Sequence, residues 1–232
     1  MLVVRFFVAR YNVSRCLIPN SFHFIDRLRR RNGLVRRSRV SRLARFRRRR
    51  AQSFVDRLND QTREAVQLAI MQDTNLVNVL HREARHAVRV DAGLGGNSNA
   101  AHATATGKAI LAWLPPTELD RIVADKGLTA FTPHTITDIE RLKEDLRLTR
   151  RNGFAIDREE FQLGVICLGA AIRDHGGAVV GSISVSSPVF RATPEYINQI
   201  SVHLIAATDE LSTELGAPGA IPRASTKHVA AE

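Results

Sequence analysis

Three serines occupy alternate positions in the C-terminal third of the chain, at Ser182, Ser184 and Ser186. The two residues between them, Ile183 and Val185, are apolar. Because successive side chains of a β-strand point to opposite faces, this alternation predicts a strand with a row of hydroxyls on one face. Hydroxyls donate and accept hydrogen bonds, so the row could bind a small polar ligand. The alternation is also typical of the solvated face of a half-exposed strand, and the pattern leaves both interpretations open.

Acidic residues precede the neighbouring apolar run. Asp157, Glu159 and Glu160 come shortly before residues 165–172, which predict a second strand, and the glycines at 174–177 favour a tight hairpin between the two strands. The sequence therefore predicts a polar pocket between them. Paired carboxylates could also serve acid–base hydrolysis. However, Glu159 and Glu160 are adjacent and would face opposite sides of a strand, which favours a salt-bridge or solvated role.

Other reactive residue types form no catalytic or metal-binding pattern. Residues 106–109, Thr-Gly-Lys-Ala, are similar to the end of a phosphate-binding loop but lack its earlier glycine and its final hydroxyl. His102 has no accompanying nucleophile motif, which favours a capping or buried hydrogen-bonding role. The two cysteines, Cys16 and Cys167, and the eight scattered histidines have no metal-ligand spacing. We therefore predict no catalytic residue, no metal and no cofactor, and we assign Trp113 to the core or to a dimer interface.

Positive charge is concentrated at the N-terminus. The net charge of the chain is +11, yet residues 1–50 contain sixteen arginines and one acid, a net charge of +15 that leaves −4 for the remainder. Such asymmetry indicates a nucleic-acid-binding arm on a mildly acidic body. A disordered arginine-rich tail that acts only as a polycation is the alternative.

Part of the basic segment resembles a DNA-recognition element. Residues 21–31 predict a helix with an apolar stripe and an arginine-rich face, which ends at Asn32-Gly33 and is followed by a short extended piece. This order is typical of the recognition helix and wing of a winged helix-turn-helix, although residues 1–20 do not resemble its first two helices. The predicted DNA-binding residues are Arg27, Arg30, Arg31, Arg36 and Arg37.

Residues 51–216 carry regular periodicity and predict a mixed α+β domain with an antiparallel sheet. The predicted strands cover 65–71, 76–81 and 87–90, in addition to the two strands of the hairpin. Five helices are predicted. The first begins near residue 51, the second covers 104–114 and the third is capped by Thr117. The last two cover 139–151 and 194–215. Residues 217–232 predict a frayed tail. No apolar run is long enough for a membrane span and Arg5 and Arg10 interrupt the apolar start, so we expect a cytoplasmic protein.

Four motifs in this domain resemble the effector-binding domain of IclR-type transcriptional regulators. They lie at residues 101–115, 131–138, 153–167 and 182–188 and occur in the family's order. The resemblance implies a GAF-like domain with an antiparallel sheet flanked by helices, preceded here by a partial winged-helix-like segment. It also implies a homodimer or homotetramer that binds promoter DNA and responds to a small organic acid or aromatic compound.

The resemblance also assigns effector-binding residues. Main-chain amides at residues 105–107 can face a ligand carboxylate in this family, and amides at the start of a helix favour an anion. The assigned residues are Val88, Asn99, Ala105, Thr106, Gly107, Asp157, Val165, Cys167, Ser184 and Ser186. A transcriptional regulator controlled by a small molecule is therefore the expected function. The alternative is a stand-alone sensor or dimerisation domain whose DNA-binding region is not functional.

Overall fold

The computed structural model describes residues 50–90 and 99–219, so the five candidate DNA-binding arginines and most of the predicted C-terminal tail lie outside the described residues. Within this part, a five-stranded antiparallel sheet has the order β2-β1-β5-β4-β3. The strands are β1 (Ala65–Gln72), β2 (Asn75–Arg82), β3 (Ala155–Arg158), β4 (Val165–Arg173) and β5 (Val179–Pro188). The prediction of an α+β domain with an antiparallel sheet is confirmed.

Helices cover both faces of the sheet. Helix α1 occupies residues 50–62, followed along the chain by α2 (Ala105–Leu111), α3 (Pro116–Lys126), α4 (Ile139–Asn152) and α5 (Pro194–Glu214), with a 3-10 turn at Val189–Arg191. One core lies where α1 and α5 meet the apolar face of the sheet, and it includes Leu58, Ile183 and Leu204. The second core joins α2, α3 and α4 to the opposite face and includes Ile110 and Leu142.

Local sequence signals explain several element boundaries. The Asp138 side chain accepts a hydrogen bond from the Arg141 amide at the start of α4, and Gly153 ends that helix with φ of 82°. The hairpin between β4 and β5 turns at Gly177, whose φ is 74°. Thr193 caps α5 by accepting a hydrogen bond from the Tyr196 amide, and Pro194 is its first residue.

Two local predictions are wrong. Residues 87–90 form no strand, and the Val88 carbonyl accepts a hydrogen bond from the Arg191 side chain at 3.0 Å instead of pairing in the sheet. Thr117 does not cap α3, since that helix already begins at Pro116. A proline fits the first turn of a helix, where its missing N–H has no helical acceptor.

Candidate functional site

The serine row of β5 is buried beneath helix α2. Ser182, Ser184 and Ser186 are 0%, 1% and 2% exposed. The Ser182 hydroxyl donates to the Thr106 carbonyl at 2.7 Å, and the Thr106 hydroxyl donates to Ser184 Oγ at 2.9 Å. The predicted common face of the three serines is confirmed, and the interpretation as a solvated strand face is wrong because α2 covers it.

A second row of polar groups crosses three strands beside Ser184. Asp157 on β3 pairs in register with Cys167 on β4, and Cys167 pairs with Ser186 on β5. Residues paired across antiparallel strands have side chains on the same face of the sheet. The Cys167 thiol donates to Ser186 Oγ at 3.1 Å. The sheet therefore brings a carboxyl, a thiol and a hydroxyl into one line; we call Asp157, Cys167 and Ser186 the polar row.

Burial changes the protonation of the polar row. Burial, together with the nearby Glu160 carboxylate, raises the pKa of Asp157 from the usual 3.8 to about 7. The amide N–H groups of Glu160 and Phe161 oppose this rise by donating to Oδ1. Burial and the Asp157 carboxylate also raise the pKa of the Cys167 thiol. The thiol is therefore held protonated as a weak donor and is unsuited to nucleophilic attack.

Helix α2 is held unusually close to the sheet. A side chain on Gly169 of β4 would place its Cβ within 2.4 Å of the Ala105 carbonyl oxygen, so only glycine permits this approach. Gly107 is required for a similar reason, since its Cβ would collide with the backbone of Ala101. The Gly107 amide donates to Thr104 Oγ1 at 3.2 Å, which leaves the amides of Ala105 and Thr106 as candidates to face a ligand.

A buried ion cluster that the sequence did not reveal also holds α2, by joining it to α4 and to Glu160. The Lys108 side chain is fully buried, and its Nζ lies 2.5 Å from Glu160 Oε1 and 3.1 Å from Asp145 Oδ2. Of the salt-bridge and solvated roles that the sequence left open, Glu160 therefore has the salt-bridge role. Burial raises the pKa of Glu160, and the Lys108 ammonium opposes that rise. The pairing leaves Lys108 unavailable to a phosphate, which removes the phosphate-loop interpretation. The only sequence signal was a lysine within an otherwise apolar helix.

The remaining assigned residues are placed differently. Val165 is buried at the start of β4 and lies two residues before Cys167, on the same face. Val88 is 63% exposed, with its carbonyl 3.0 Å from Arg191 Nη2, and Asn99 is exposed as well. The structure thus brings together Thr106, Asp157, Val165, Cys167, Ser184 and Ser186, while Val88 lies at an exposed position beside Arg191.

His102 has the buried hydrogen-bonding role that the sequence favoured. Its ring is almost fully buried, with Nε2 3.0 Å from the Thr129 carbonyl oxygen. Burial lowers the pKa of His102, so the ring is neutral at physiological pH and can donate this hydrogen bond from Nε2. Its centroid lies 5.8 Å from that of Phe131, which places it in a small aromatic contact rather than in a reactive site.

Within residues 50–90 and 99–219, no helix is sufficiently long and apolar to cross a membrane. The same residues contain no group of three histidine, cysteine or acidic side chains that could hold a metal ion. Trp113 is partly buried against the second core, where the Arg173 guanidinium lies 4.0 Å from its ring centroid. This contact fits the core alternative of the prediction, while the dimer-interface alternative stays a prediction.

Comparison with known proteins identifies relatives of this domain. The model of the family described as "Bacterial transcriptional regulator IclR C-terminal" matches residues 47–213. The chain is 37% identical over 164 residues to the HTH-type transcriptional repressor AllR of Salmonella paratyphi A, an alignment that covers 70% of this chain. The chain spans about 60% of the length of that curated relative.

Solved structures agree with this comparison. The crystal structure of the Thermotoga maritima IclR has a TM-score of 0.68 and 31% identity, and the match covers 73% of this chain and 68% of that one. The inducer-binding domain of the PobR transcription factor from Acinetobacter, a double mutant in complex with 3-hydroxybenzoic acid, has a TM-score of 0.62 and 28% identity. That match covers 70% of this chain and 95% of the PobR domain.

Proposed function

The chain belongs to the IclR family, whose members are transcriptional regulators and not enzymes, and we propose that it binds promoter DNA under the control of a small organic acid. In this proposal the described domain is the sensor and residues 1–50 supply the contacts to DNA. The regulator acts in the cytoplasm as a homodimer or homotetramer. The polar row beside α2 is the observation that carries the proposal, because it places a buried carboxyl, a partly buried thiol and a buried hydroxyl side by side on one face of the sheet.

The donors around the polar row favour a ligand that presents oxygen acceptors. The Ser184 and Ser186 hydroxyls accept from Thr106 and Cys167, so each can direct its own proton to a ligand. Asp157 joins them when protonated, which its pKa of about 7 permits near neutral pH. Together these groups match the acceptor oxygens of a carboxylate or a carbonyl.

Charges of both signs lie near the row. The Glu160 carboxylate raises the pKa of Asp157 and the Lys108 ammonium opposes that rise, so Lys108 reduces the negative potential that an anionic ligand would meet there. A similar ligand class occurs in the PobR relative, whose inducer-binding domain was solved with an aromatic carboxylic acid. We therefore propose a small organic acid, aliphatic or aromatic, as the effector, with Ala105, Thr106, Asp157, Val165, Cys167, Ser184 and Ser186 as its contacts.

Replacing Ser184 and Ser186 together with alanine is expected to lower the affinity for the effector by at least about a hundredfold, because hydrogen bonds to a charged group each contribute about 1.5 to 3 kcal/mol. The measurement is isothermal titration of the full chain with a panel of small carboxylic acids that includes 3-hydroxybenzoate. Ser182→Ala is the matched control, since that serine lies on the same face of β5 but donates to the backbone of α2. Equal affinity in the double variant and the wild type would remove this site from the proposal.

A comparison of specific and non-specific DNA binding tests the proposal that the chain binds promoter DNA. The full chain is titrated with DNA from upstream of its own gene and with a scrambled duplex at near-physiological salt. We expect a preference for the upstream DNA on the order of a thousandfold. Arg30→Lys with Arg31→Lys keeps the charge but removes the guanidinium fork, so it should reduce this preference and preserve salt-sensitive binding to both duplexes.

Equal binding of the wild type to both duplexes would instead support a stand-alone sensor or dimerisation domain. In that case the arginines of residues 1–50 would act only as a polycation, and binding would weaken steeply with salt. The family match covers the C-terminal domain from residue 47, so it supports the sensor role under either outcome.

A further inference from the structure

A fully buried carboxylate lies at the junction of helix α1 and strand β1. Glu64 Oε1 accepts hydrogen bonds from Arg191 Nε at 2.7 Å and from the Tyr196 hydroxyl at 2.9 Å, and Arg191 Nη2 lies 3.4 Å from Oε2. His86 Nε2 is 3.8 Å from Oε1. Burial and the Glu64 carboxylate raise the pKa of Tyr196 to about 12, which keeps its hydroxyl a donor. The carboxylate therefore holds the turn after β5 and the first turn of α5 at one point.

The backbone at Glu64 is fixed to helix α1. Arg63 has a left-handed φ of 60°, and its amide donates to the Asn59 carbonyl at 2.8 Å, which ends the helix. The Asn59 side chain then donates to the Glu64 carbonyl at 2.7 Å and to the Glu83 carbonyl at 2.9 Å. Because Asn59 is buried within α1, the end of the helix and Glu64 move as one unit.

The same junction contacts the strand that carries the polar row. Ala65, the residue after Glu64, pairs in register with Ser186 on β5. Arg191 follows the end of β5 by three residues, within the 3-10 turn. The β1–α1 junction is therefore joined to β5 at two points. The Ala65–Ser186 backbone pairing lies before Ser187 in the chain, and the Glu64–Arg191 ion pair lies after it. A buried carboxylate cannot leave its guanidinium partner without the large cost of an unpaired buried charge, so a displacement of β5 at Ser186 must carry Glu64 with it.

We propose that Glu64 is the positioning residue that couples the polar row on β5 to helix α1. This inference rests on the proposed function, in which α1 is the element that follows the DNA-binding residues along the chain. An effector can act at a distance only through an element whose two arrangements it distinguishes. The Glu64–Arg191 pair supplies the rigid connection between the ligand site and that element.

The test replaces the effector by a substitution, so that it does not depend on a ligand or on DNA. Ser186→Thr adds one methyl group to the buried polar row and displaces β5, since well-packed interiors do not absorb an added methyl without a backbone shift. Amide hydrogen exchange of residues 51–62 is measured in the full chain for wild type, Ser186→Thr, Glu64→Gln and the double variant. We expect Ser186→Thr to accelerate this exchange about fivefold or more in the wild-type background and by less than about twofold in the Glu64→Gln background.

The control distinguishes coupling from a structural contribution to the helix. Asp56 on α1 forms a partly exposed ion pair at 2.6 Å with Arg82 on β2, a strand that β1 separates from β5. Asp56→Asn should therefore leave the response to Ser186→Thr intact, even if it changes the exchange of α1 by itself. Arg191→Lys, which keeps the charge, should also retain most of the response.

Three results would overturn the proposal: no response of α1 to Ser186→Thr in the wild type, an undiminished response in Glu64→Gln, or an equal loss in Asp56→Asn. If Glu64→Gln does not fold, Arg191→Gln breaks the same pair from its less buried side and has the same expected outcome. Failure of every carboxylic acid to bind would contradict the proposed effector class and leave this measurement unaffected.

Discussion

Replacing Lys108 with methionine is expected to lower the free energy of unfolding by about 3 to 5 kcal/mol, the usual cost of removing one partner from a buried ion pair. The Lys108 Nζ is the cation that faces Glu160 at 2.5 Å and Asp145 at 3.1 Å, and its side chain is fully buried. Methionine fills a similar volume without charge, so the lost stability reports the unpaired carboxylates of Asp145 and Glu160 rather than a cavity. Urea denaturation of the full chain at pH 7.5, followed by circular dichroism, measures it.

The double variant Lys108→Met with Glu160→Gln tests that cause. With the more deeply buried carboxylate removed, we expect most of the lost stability to return. Lys143 is the matched control, because it lies in an exposed ion pair with Glu140 on α4, and Lys143→Met should change stability by less than about 0.5 kcal/mol. A double variant as unstable as Lys108→Met alone would show that the ammonium does more than compensate Glu160.

The second large effect concerns Asp157. The pKa of this carboxyl is raised in the folded protein to about 7 from the usual 3.8, so the native state binds a proton that the unfolded chain has released. The free energy of unfolding therefore falls as the pH rises from about 4 to 7. Above pH 7 the whole of this stabilising contribution from the proton on Asp157 is lost. Asp157→Asn keeps an oxygen that can accept from the amides of Glu160 and Phe161 but carries no charge. We expect this variant to exceed the wild type in stability by about 2 to 4 kcal/mol at pH 8 and to match it near pH 4.

Denaturation of both proteins across pH 4 to 8.5 measures the difference. Glu160, whose pKa is also raised by burial, contributes a slope of the same sign in both proteins, so only the difference between the two curves reports Asp157. Asp120→Asn, at an exposed position on helix α3, provides a control for the loss of one negative charge. Parallel curves for wild type and Asp157→Asn would mean that the native carboxyl titrates at its ordinary pH.

Both predictions bear on the proposed effector site. Lys108 belongs to α2, which packs against β4 and β5, and Asp157 belongs to β3, which pairs with β4 beside Cys167. The ion pair of Lys108 fixes α2, and the protonation of Asp157 sets whether that carboxyl can donate a hydrogen bond in the proposed site. Substitutions at the proposed site are therefore expected to change the stability of the domain as well as the binding of an effector.

The sequence alone determined the features that depend on near neighbours in the chain. Alternation of Ser and apolar residues defined β5 and the shared face of its serines, because strand geometry is local. Asp138 and Gly153 marked the ends of α4, since capping hydrogen bonds and a left-handed backbone act within one turn. Motif order identified the family. The same local signals misled at residues 87–90, where apolar residues suggested a strand.

Tertiary structure decided the features that depend on partners distant in the chain. Residues 87–90 lie outside the sheet, where the Val88 carbonyl accepts a hydrogen bond from Arg191, 103 residues away, and no local sequence pattern indicates such a partner. Lys108 and Glu160 are 52 residues apart, and Glu64 and Arg191 are 127 apart. A charged residue has the same sequence signature whether it is solvated or buried against an opposite charge. Only the packing of α2 and α5 against the sheet removes water from these groups, and that packing gives them their roles.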